Sequence, residues 1–522
     1  MFCLADIVRD NAAQRPDKAA LVCDDRTLTY AELDTESSKV ANALLASGVG
    51  PQDRVGIISK NIAEYFTVTY GAAKINAVSV AVNWRLAPPE MAYILDNAEA
   101  DVILVEDEFL EHVASMDLPR DPTIVAVGGD TGHVQYADWI AGQPTDDPRY
   151  PTETDDTGVQ LYTSGTTGLP KGAELSNRNF ASIMQPITDK IGLTSDDVVL
   201  HVLPMFHIGG SGVATVGLFN GCTNIVHRDV DPGRIFADIP GYGVTSGFMV
   251  PALLQVLPMI PGASDVDYSS LKTIFYGASP ITEDVLTASI ALLKCAHAQA
   301  YGLTETTGVV SWLDPEDHDP GGPRAHLLRS AGKPIDGVEV RIIDRDNGED
   351  LPAGEVGEIW VRTVQNLKGY WRNPEATAEV FPEGRDENGF GWFTTGDAGY
   401  LDDEGFLFIH DRVKDMIVSG GENVYPAEIE NAIMSHPEVA DVAVIGVPSE
   451  RWGESPLALI VPAEGADPTE ESVIAHCAER LARFKLPTAV ERIDAVPRNP
   501  SGKILKVDLR KPYWEGHDRA VN

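Results

Sequence analysis

A chain of 522 residues is long enough for several domains and a large buried core. Apolar residues at 43% and aromatics at 7% are ordinary for a globular protein and argue against a disordered or fibrous one. The formal net charge of -39, from 79 acids against 40 bases, excludes a general affinity for nucleic acid or for an anionic membrane, because both need clustered positive charge.

Five cysteines (Cys3, Cys23, Cys222, Cys295, Cys477) are scattered without a Cys-x-x-Cys pair, so neither a zinc site nor a disulfide framework is expected. The N-terminus carries Asp6, Arg9 and Asp10 and does not read as a signal peptide. No run of about 18 apolar residues occurs, so no integral membrane segment is expected. Together these features predict a cytoplasmic protein.

In chain order, Tyr30-Ala-Glu-Leu33 opens a helix with Leu33, Val40, Ala41, Leu44 and Leu45 at helical spacing and Gly48 past its end. Residues 55–58 read as a buried strand. Asn61 is expected to cap the next helix, with Glu64 as its capping-box partner. Residues 78–82 read as strand, Pro88-Pro89-Glu90 as a helix start and 101–105 as strand again. This alternation predicts parallel sheets covered by helices. From Glu355 onward, strand-like pieces at 357–361 and 405–409 lie between Gly- and Asp-rich turns, which predicts a β-rich segment. After Asp411 a smaller unit is expected, with helices near 427–435 and 470–483 and strands near 439–447 and 457–461. The fold class is therefore α/β. A large N-terminal domain (1–413) of parallel α/β subdomains and a β-rich subdomain precedes a small mobile α+β domain (414–522).

The strongest motif is Thr163-Ser-Gly-Thr-Thr-Gly-Leu-Pro-Lys-Gly172, which follows a strand-like Val159-Gln-Leu-Tyr162. Three glycines let backbone N–H groups approach phosphate oxygens, hydroxyls donate, and Lys171 supplies a point charge. A flexible surface turn is the plain structural alternative. The string is not a Walker A loop, because Lys171 precedes Gly172 rather than Ser or Thr. It resembles the phosphate loop of the adenylate-forming superfamily, which holds acyl-CoA synthetases, coumarate ligases, firefly luciferase and peptide-synthetase adenylation domains. Among these the chain is most like bacterial fatty-acid–CoA ligases.

Further motifs follow in that family's order. Tyr301-Gly-Leu-Thr-Glu-Thr306 resembles the second nucleotide motif. The resemblance implies that Tyr301 stacks on adenine, Thr304 touches phosphate and Glu305 holds Mg²⁺; a hard carboxylate suits that ion. Gln299, Ala300 and Gly302 flank these residues. Tyr276-Gly-Ala-Ser-Pro280 resembles the adenine-flanking turn and implicates Gly277, Ala278 and Ser279. Trp392-Phe-Thr-Thr-Gly-Asp397 resembles the ribose motif, implying Asp397 as acceptor of both ribose hydroxyls, joined by Arg412. Asp402, Asp403 and Glu404 read as a solvated acidic turn. The phosphate loop itself implies ATP contacts from Thr163, Ser164, Gly165, Thr166, Thr167, Gly168 and Lys171.

Lys414 matches the family's hinge. Ser419-Gly-Gly-Glu-Asn-Val-Tyr-Pro426 matches the segment lining the pantetheine tunnel, which implies coenzyme A contacts from Gly420, Gly421 and Glu422. Here the chain departs from coumarate ligases, which carry lysines where Val418 and Gly420 stand. Asn499-Pro-Ser-Gly-Lys-Ile-Leu-Lys506 matches the C-terminal catalytic loop, with Lys503 bridging substrate carboxylate and α-phosphate. A carboxylate attacking a polyphosphate brings anion to anion, so a positioned cation is needed. A turn followed by a basic tail is the structural alternative.

Leu203-Pro-Met-Phe-His-Ile-Gly-Gly210 aligns with the acyl-pocket motif and places His207 near the thioester-forming centre. As a lone residue it would read as a core histidine. Amino-acid-activating relatives place an Asp here, and none is found. Small or apolar residues are expected to line the pocket: Gly209, Gly210, Gly212, Phe248, Met249, Val250, Val309 and Val310. An apolar pocket does not favour a second, unpaired carboxylate, so a hydrophobic monocarboxylate is expected. Gly209 leaves room where coumarate ligases carry an aromatic, which points to a fatty or bulky acyl chain, with an aryl acid as alternative. The expected enzyme is an AMP-forming acid–thiol ligase using ATP, Mg²⁺ and coenzyme A, with Lys503, Glu305, Thr166 and His207 catalytic.

Rival readings follow from the same motifs. A ligase onto a carrier protein is the nearest, although no carrier domain is attached. A luciferase-type oxidoreductase shares every motif. A phosphate-loop NTPase would need the Lys-Ser/Thr ending. The expected partners are small molecules, with no nucleic acid, and a homodimer is an admissible assembly.

Overall fold

The computed structural model describes residues 2–24, 26–129, 132–163, 169–279, 281–412, 415–419, 422–449, 452–498 and 504–515, with the side chains of residues 412, 418, 422, 423 and 484 left out. Four sheets organise the chain. Two are large and mostly parallel, as the strand–helix alternation predicts. In the eight-stranded sheet the parallel strands Thr157–Thr163, Val78–Ala81, Arg54–Ile58, Val102–Glu106 and Thr123–Val127 lie side by side. In the nine-stranded sheet the parallel run is Ala296–Leu303, Thr273–Gly277, Ser246–Met249, Val198–His201, Thr223–Val226 and Ala19–Cys23. Strands such as Arg54–Ile58 and Thr273–Gly277 are buried throughout, because helices cover both faces.

The helix Tyr30–Ala46 forms as its spacing predicts, and Thr29 with Glu32 closes a capping box at its start. Gly48 follows with φ +89°, a left-handed conformation that suits glycine. The next helix corrects one expectation. It spans Ala63–Lys74, its N-cap is Ile62, and that cap makes no side-chain hydrogen bond. Asn61 is drawn instead into the interior, where its amide donates to the carbonyls of Leu203 and His227 and accepts from the Met205 N–H. Glu64 pairs with Arg26. A buried amide is worth more bridging two segments than capping a helix already held by packing.

The β-rich segment is a four-stranded antiparallel sheet in the order Val338–Ile343, Gly357–Thr363, Phe393–Leu401, Leu407–Arg412. The smaller C-terminal unit has a five-stranded sheet built on the long pair Val439–Ser449 and Gly453–Pro462, with helices Pro426–Met434, Glu470–Ala478 and Lys506–Trp514. Its own core contains Ile417, Ile429, Ile433, Val444, Ile460 and Val473. The second helix ends before the expected residue 483, because the N–H groups of Arg480 and Leu481 both turn back to the Cys477 carbonyl.

Lys506 is not part of a basic tail. It opens the last helix and is buried, with its Nζ 3.1 Å from both Asp411 Oδ2 and Glu430 Oε1. Burial works against its charge, but Asp411 and Glu430 outweigh that and hold the ammonium well above the usual lysine range. On the same helix as Lys506, Arg510 reaches Asp415 of the preceding segment at 2.8 Å.

Candidate active site

Side-chain hydrogen bonds bring together polar residues that three sheets contribute: Thr163, Glu305 and Tyr370 in one group, and Tyr301 with Asp397 beside it in the chain. The eight-stranded sheet contributes a hairpin. Thr163 ends one strand, Lys171 opens the antiparallel return strand Lys171–Ser176, and the two are register partners. The motif is therefore followed by an antiparallel strand, whereas a Walker A motif is followed by a helix. Gly172 is required by close approach: a Cβ there would stand 2.6 Å from Gln160 Nε2.

The nine-stranded sheet contributes Ala296–Leu303 and the one-turn helix Thr304–Thr306. Glu305 Oε1 accepts from Thr163 Oγ1 at 2.9 Å and from the Tyr370 hydroxyl at 3.0 Å. Both bonds fall on one oxygen, which leaves Oε2 for a cation. Gly302 has no room for a side chain, because a Cβ would overlap the Gly308 carbonyl oxygen at 1.6 Å. Thr307 takes φ +54°, an outlier for a β-branched residue, held by its hydroxyl donating to the Gln365 carbonyl at 2.7 Å.

The antiparallel sheet contributes Asp397, 6% exposed, which accepts from the Tyr301 hydroxyl at 2.7 Å. Asp397 and Arg412 are direct register partners in neighbouring strands, so the fold brings together two residues fifteen apart in sequence. Gly277 ends its strand within 2.1 Å, measured from a hypothetical Cβ, of the Ala300 carbonyl oxygen. Ala278 follows with φ +69°, and Ser279 is half-buried beside it. Gln299 Oε1 is buried without a hydrogen-bond partner among the described residues.

An apolar wall adjoins these groups. His207 precedes the helix Ile208–Phe219. Its Nε2 is buried and has no partner among the described residues, and burial, helped by the charge of Arg85, pushes its pKa down to about 4, so the ring is neutral near pH 7. A Cβ on Gly209 would stand 3.0 Å from the Phe248 ring, and one on Gly210 would strike the Pro204 carbonyl oxygen at 2.2 Å. Gly308, with φ +115°, faces Ile183 and Ile208. Gly212 lies against Ile208, and Val309 is half-buried.

Two expected pocket residues lie elsewhere. Val310 is fully buried against Ile342, Ile359 and Leu407, on the side of the antiparallel sheet, because strand side chains alternate and Val309 takes the other face. By the same alternation Met249, 1% exposed, points away from the face of Phe248 into the core. Val250 becomes the N-cap of the helix Pro251–Val256. Ser164, Gly165, Thr166, Thr167, Gly168, Lys414, Gly420, Gly421 and Lys503 lie outside the described residues, as do the side chains of Arg412 and Glu422. The acidic turn at 402–404 is what it was expected to be, with Asp402 Oδ1 accepting from the N–H groups of Glu404 and Phe406.

Tyr370, Gln365 and Arg85 carry no sequence signal of comparable strength. Tyr370 arrives on the two-residue strand Gly369–Tyr370, too short for any periodicity. Arg85 is exposed and stacks over Trp84 at 4.5 Å.

The AMP-binding enzyme family matches residues 8–371, and its C-terminal domain matches residues 428–503. The chain belongs to the AMP-binding enzyme family. It is 42% identical over 98% of its length, and 96% of the relative, to the fatty acid–[acyl-carrier-protein] ligase ScoC of Streptomyces coeruleorubidus. It is 36% identical to the long-chain-fatty-acid–CoA ligase FadD13 of Mycobacterium tuberculosis, with 94% of each chain covered. Among solved structures it is similar to ATP-bound MatB from Rhodopseudomonas palustris, with a TM-score of 0.89, 30% identity, and 99% and 100% of the two chains covered. This AMP-binding enzyme is therefore an ATP-dependent, AMP-forming acid–thiol ligase, which activates a carboxylic acid as an acyl-adenylate for transfer to coenzyme A or a carrier. Among its described residues no helix is long and apolar enough to cross a membrane.

Proposed function

We propose that this ligase activates a hydrophobic monocarboxylic acid, a medium- or long-chain fatty acid, and transfers the acyl group to coenzyme A. The observation that carries the reading is the joining of Glu305 to Thr163 and of Tyr301 to Asp397, with Gly277 packed against Phe248 and Gly302 against Gly308, which in turn meets Ile183 and Ile208. Arg85, the cation that acts on His207, is exposed over Trp84 rather than set in that wall. A second carboxylate on the substrate would be desolvated there without a partner.

In this reading Tyr301 stacks on adenine, with Gly277, Ala278, Ser279, Ala300 and Gly302 around it, and the orphan Gln299 oxygen accepts from its amino group. Asp397 and Arg412 hold the ribose. Thr163, Lys171, Thr304 and residues 164–168 hold the phosphates. Among the described residues no group of three His, Cys, Asp or Glu could hold a metal ion. Glu305 with one oxygen available therefore fits Mg²⁺, which binds through one or two carboxylates, phosphate oxygens and water. The bound ion would neutralise charge on the departing pyrophosphate.

A substrate carboxylate oxygen attacks the α-phosphorus, the bond to the β-phosphate oxygen breaks, and pyrophosphate leaves. Thr166 and Lys503 reduce the repulsion between the two anions. The small domain (414–522) then turns about Lys414 and withdraws Lys503, and Gly420, Gly421 and Glu422 guide the thiol. The thiol gives its proton to solvent, its sulfur attacks the acyl carbonyl beside the neutral His207, the acyl C–O bond to the α-phosphate breaks, and AMP leaves. One site cannot hold both sets of groups at once, which gives the hinge its purpose. A cytoplasmic setting suits five free cysteines and these co-substrates.

A second reading, transfer to a carrier protein, is favoured by the 42% identity to a ligase named for that acceptor. One experiment separates them: pyrophosphate release with a panel of carboxylic acids, with coenzyme A, with a phosphopantetheinylated carrier protein, or with neither. Thioester formation on coenzyme A, strongest with a fatty acid, supports the proposal. Thioester on the carrier alone replaces it, and preference for a dicarboxylate or amino acid refutes the substrate class.

A further inference from the structure

Glu305 and Lys171 come from different sheets, and one side chain touches both. The Tyr370 hydroxyl donates to Glu305 Oε1 at 3.0 Å, and its ring lies beneath the Lys171 ammonium, 5.2 Å from Nζ to the ring centroid. Lys171 also reaches the exposed Glu379 at 4.0 Å. We propose that Tyr370 is a positioning residue of the adenylation site, which fixes the metal-binding carboxylate of Glu305 against the phosphate-binding ammonium of Lys171.

The backbone around Tyr370 is built to hold that position. Gly369–Tyr370 pairs with the strand carrying Lys171, with Tyr370 opposite Ala173 and Gly369 opposite Glu174. The Tyr370 N–H donates to Thr377 Oγ1 at 2.9 Å, and the Trp371 N–H donates to the Gly172 carbonyl at 2.7 Å. The preceding residues grip the segment that carries Glu305. The Leu367 N–H donates to the Glu305 carbonyl at 2.7 Å. With its amide oriented to satisfy its neighbours, the buried Gln365 donates to the carbonyls of Thr306 at 3.2 Å and Val309 at 2.8 Å. Asn179 in turn holds the carbonyls of Val364 and Asn366. The run 363–370 is thus a brace between the two large sheets. At its end a hydroxyl takes one lone-pair direction of Glu305 and leaves the other oxygen for the ion.

A hydrogen bond to a carboxylate is stronger than one between neutral groups, and a cation over an aromatic face is stabilised by the ring. The two contacts are separable. Tyr370→Phe removes the hydroxyl and keeps the ring, whereas Tyr370→Leu removes both.

The proposal rests on the adenylation reading above, and the test keeps the two apart. Mn²⁺ is the probe ion, with free Mn²⁺ read by electron paramagnetic resonance in the presence of α,β-methylene-ATP, which cannot be adenylated upon. Acid-dependent ATP–pyrophosphate exchange is followed against Mg²⁺ concentration. Tyr370→Phe is expected to weaken Mn²⁺ binding about tenfold and raise the Mg²⁺ needed for half-maximal exchange to match. Its kcat at saturating Mg²⁺ should return to within about twofold of the parent, and metal-free nucleotide binding should be unchanged. Tyr370→Leu should also weaken metal-free nucleotide binding about threefold. Thr163→Ala, which removes the other donor to the same oxygen, should shift the Mg²⁺ requirement in the same direction. Unchanged Mn²⁺ binding in Tyr370→Phe overturns the proposal. So does a fall in kcat that Mg²⁺ cannot restore, or loss of folding in both Tyr370 variants, since the residue would then be purely structural. A parent enzyme without acid-dependent exchange would instead overturn the adenylation reading itself.

Discussion

The proposed nucleotide half of the site and its proposed acyl half are held together by different forces. On the nucleotide side Thr163, Glu305, Tyr370, Tyr301 and Asp397 come from three sheets and are locked by short hydrogen bonds between side chains. On the proposed acyl side Gly209, Phe248, Ile183, Ile208 and Gly308 are placed by packing, and the nearby His207 in the chain keeps a buried Nε2 without a partner among the described residues. Hydrogen bonds are directional and demand particular residue types, whereas an apolar wall demands only volume. The nucleotide half should therefore respond steeply to chemistry at fixed size. The acyl half should respond to size at fixed chemistry.

The largest effect should come from the cation that the reaction requires. Lys503→Ala is expected to lower acid-dependent ATP–pyrophosphate exchange by about 10²–10³-fold, while thioester formation from supplied acyl-adenylate is retained. Equal loss of both half-reactions would break the division of labour. Next comes size on the acyl side. Gly209→Phe fills space already 3.0 Å from the Phe248 ring and should shift the kcat/KM ratio of long to short acids about 50-fold toward short ones, with the KM for ATP unchanged. A parallel rise in the ATP KM would mean that the halves are not independent. A smaller change is expected from Asp397→Asn, which keeps volume but removes charge. The ATP KM should rise about tenfold with acid preference unaltered, read by initial-rate kinetics.

The smallest effect concerns His207. Its pKa near 4 lies below the ordinary 6.5, so the unfolded chain takes up the proton first as pH falls. Its contribution to stability is complete above about pH 6.5 and is lost between there and pH 4, while nothing changes between pH 7 and 8. Unfolding free energy against pH should show this decline, with a shallower slope for His207→Asn. An equal slope would place the titration elsewhere.

The same contrast explains what could be read before the fold was known. Tyr301, Glu305, Asp397 and Arg412 stand in strings that the sequence singles out for the proposed nucleotide site, and the strand register places Asp397 opposite Arg412. Tyr370 was invisible, since a two-residue strand has no period and its partners lie 65 and 199 residues away. Val310 and Met249 were assigned to the pocket from hydrophobicity alone, but strand alternation turned both to the other face. The basic-tail alternative for the string ending at Lys506 fails, because Asp411 and Glu430 hold Lys506 inside.

By itself the sequence determined the reaction class and the α/β architecture, because the ordered motifs and the strand–helix alternation admit few alternatives. Only the tertiary structure decided which face each pocket residue presents, the crossing of the brace 363–370 between two sheets, and the neutral state of His207. Those depend on burial and on contacts between residues far apart in the chain, and no local pattern encodes them.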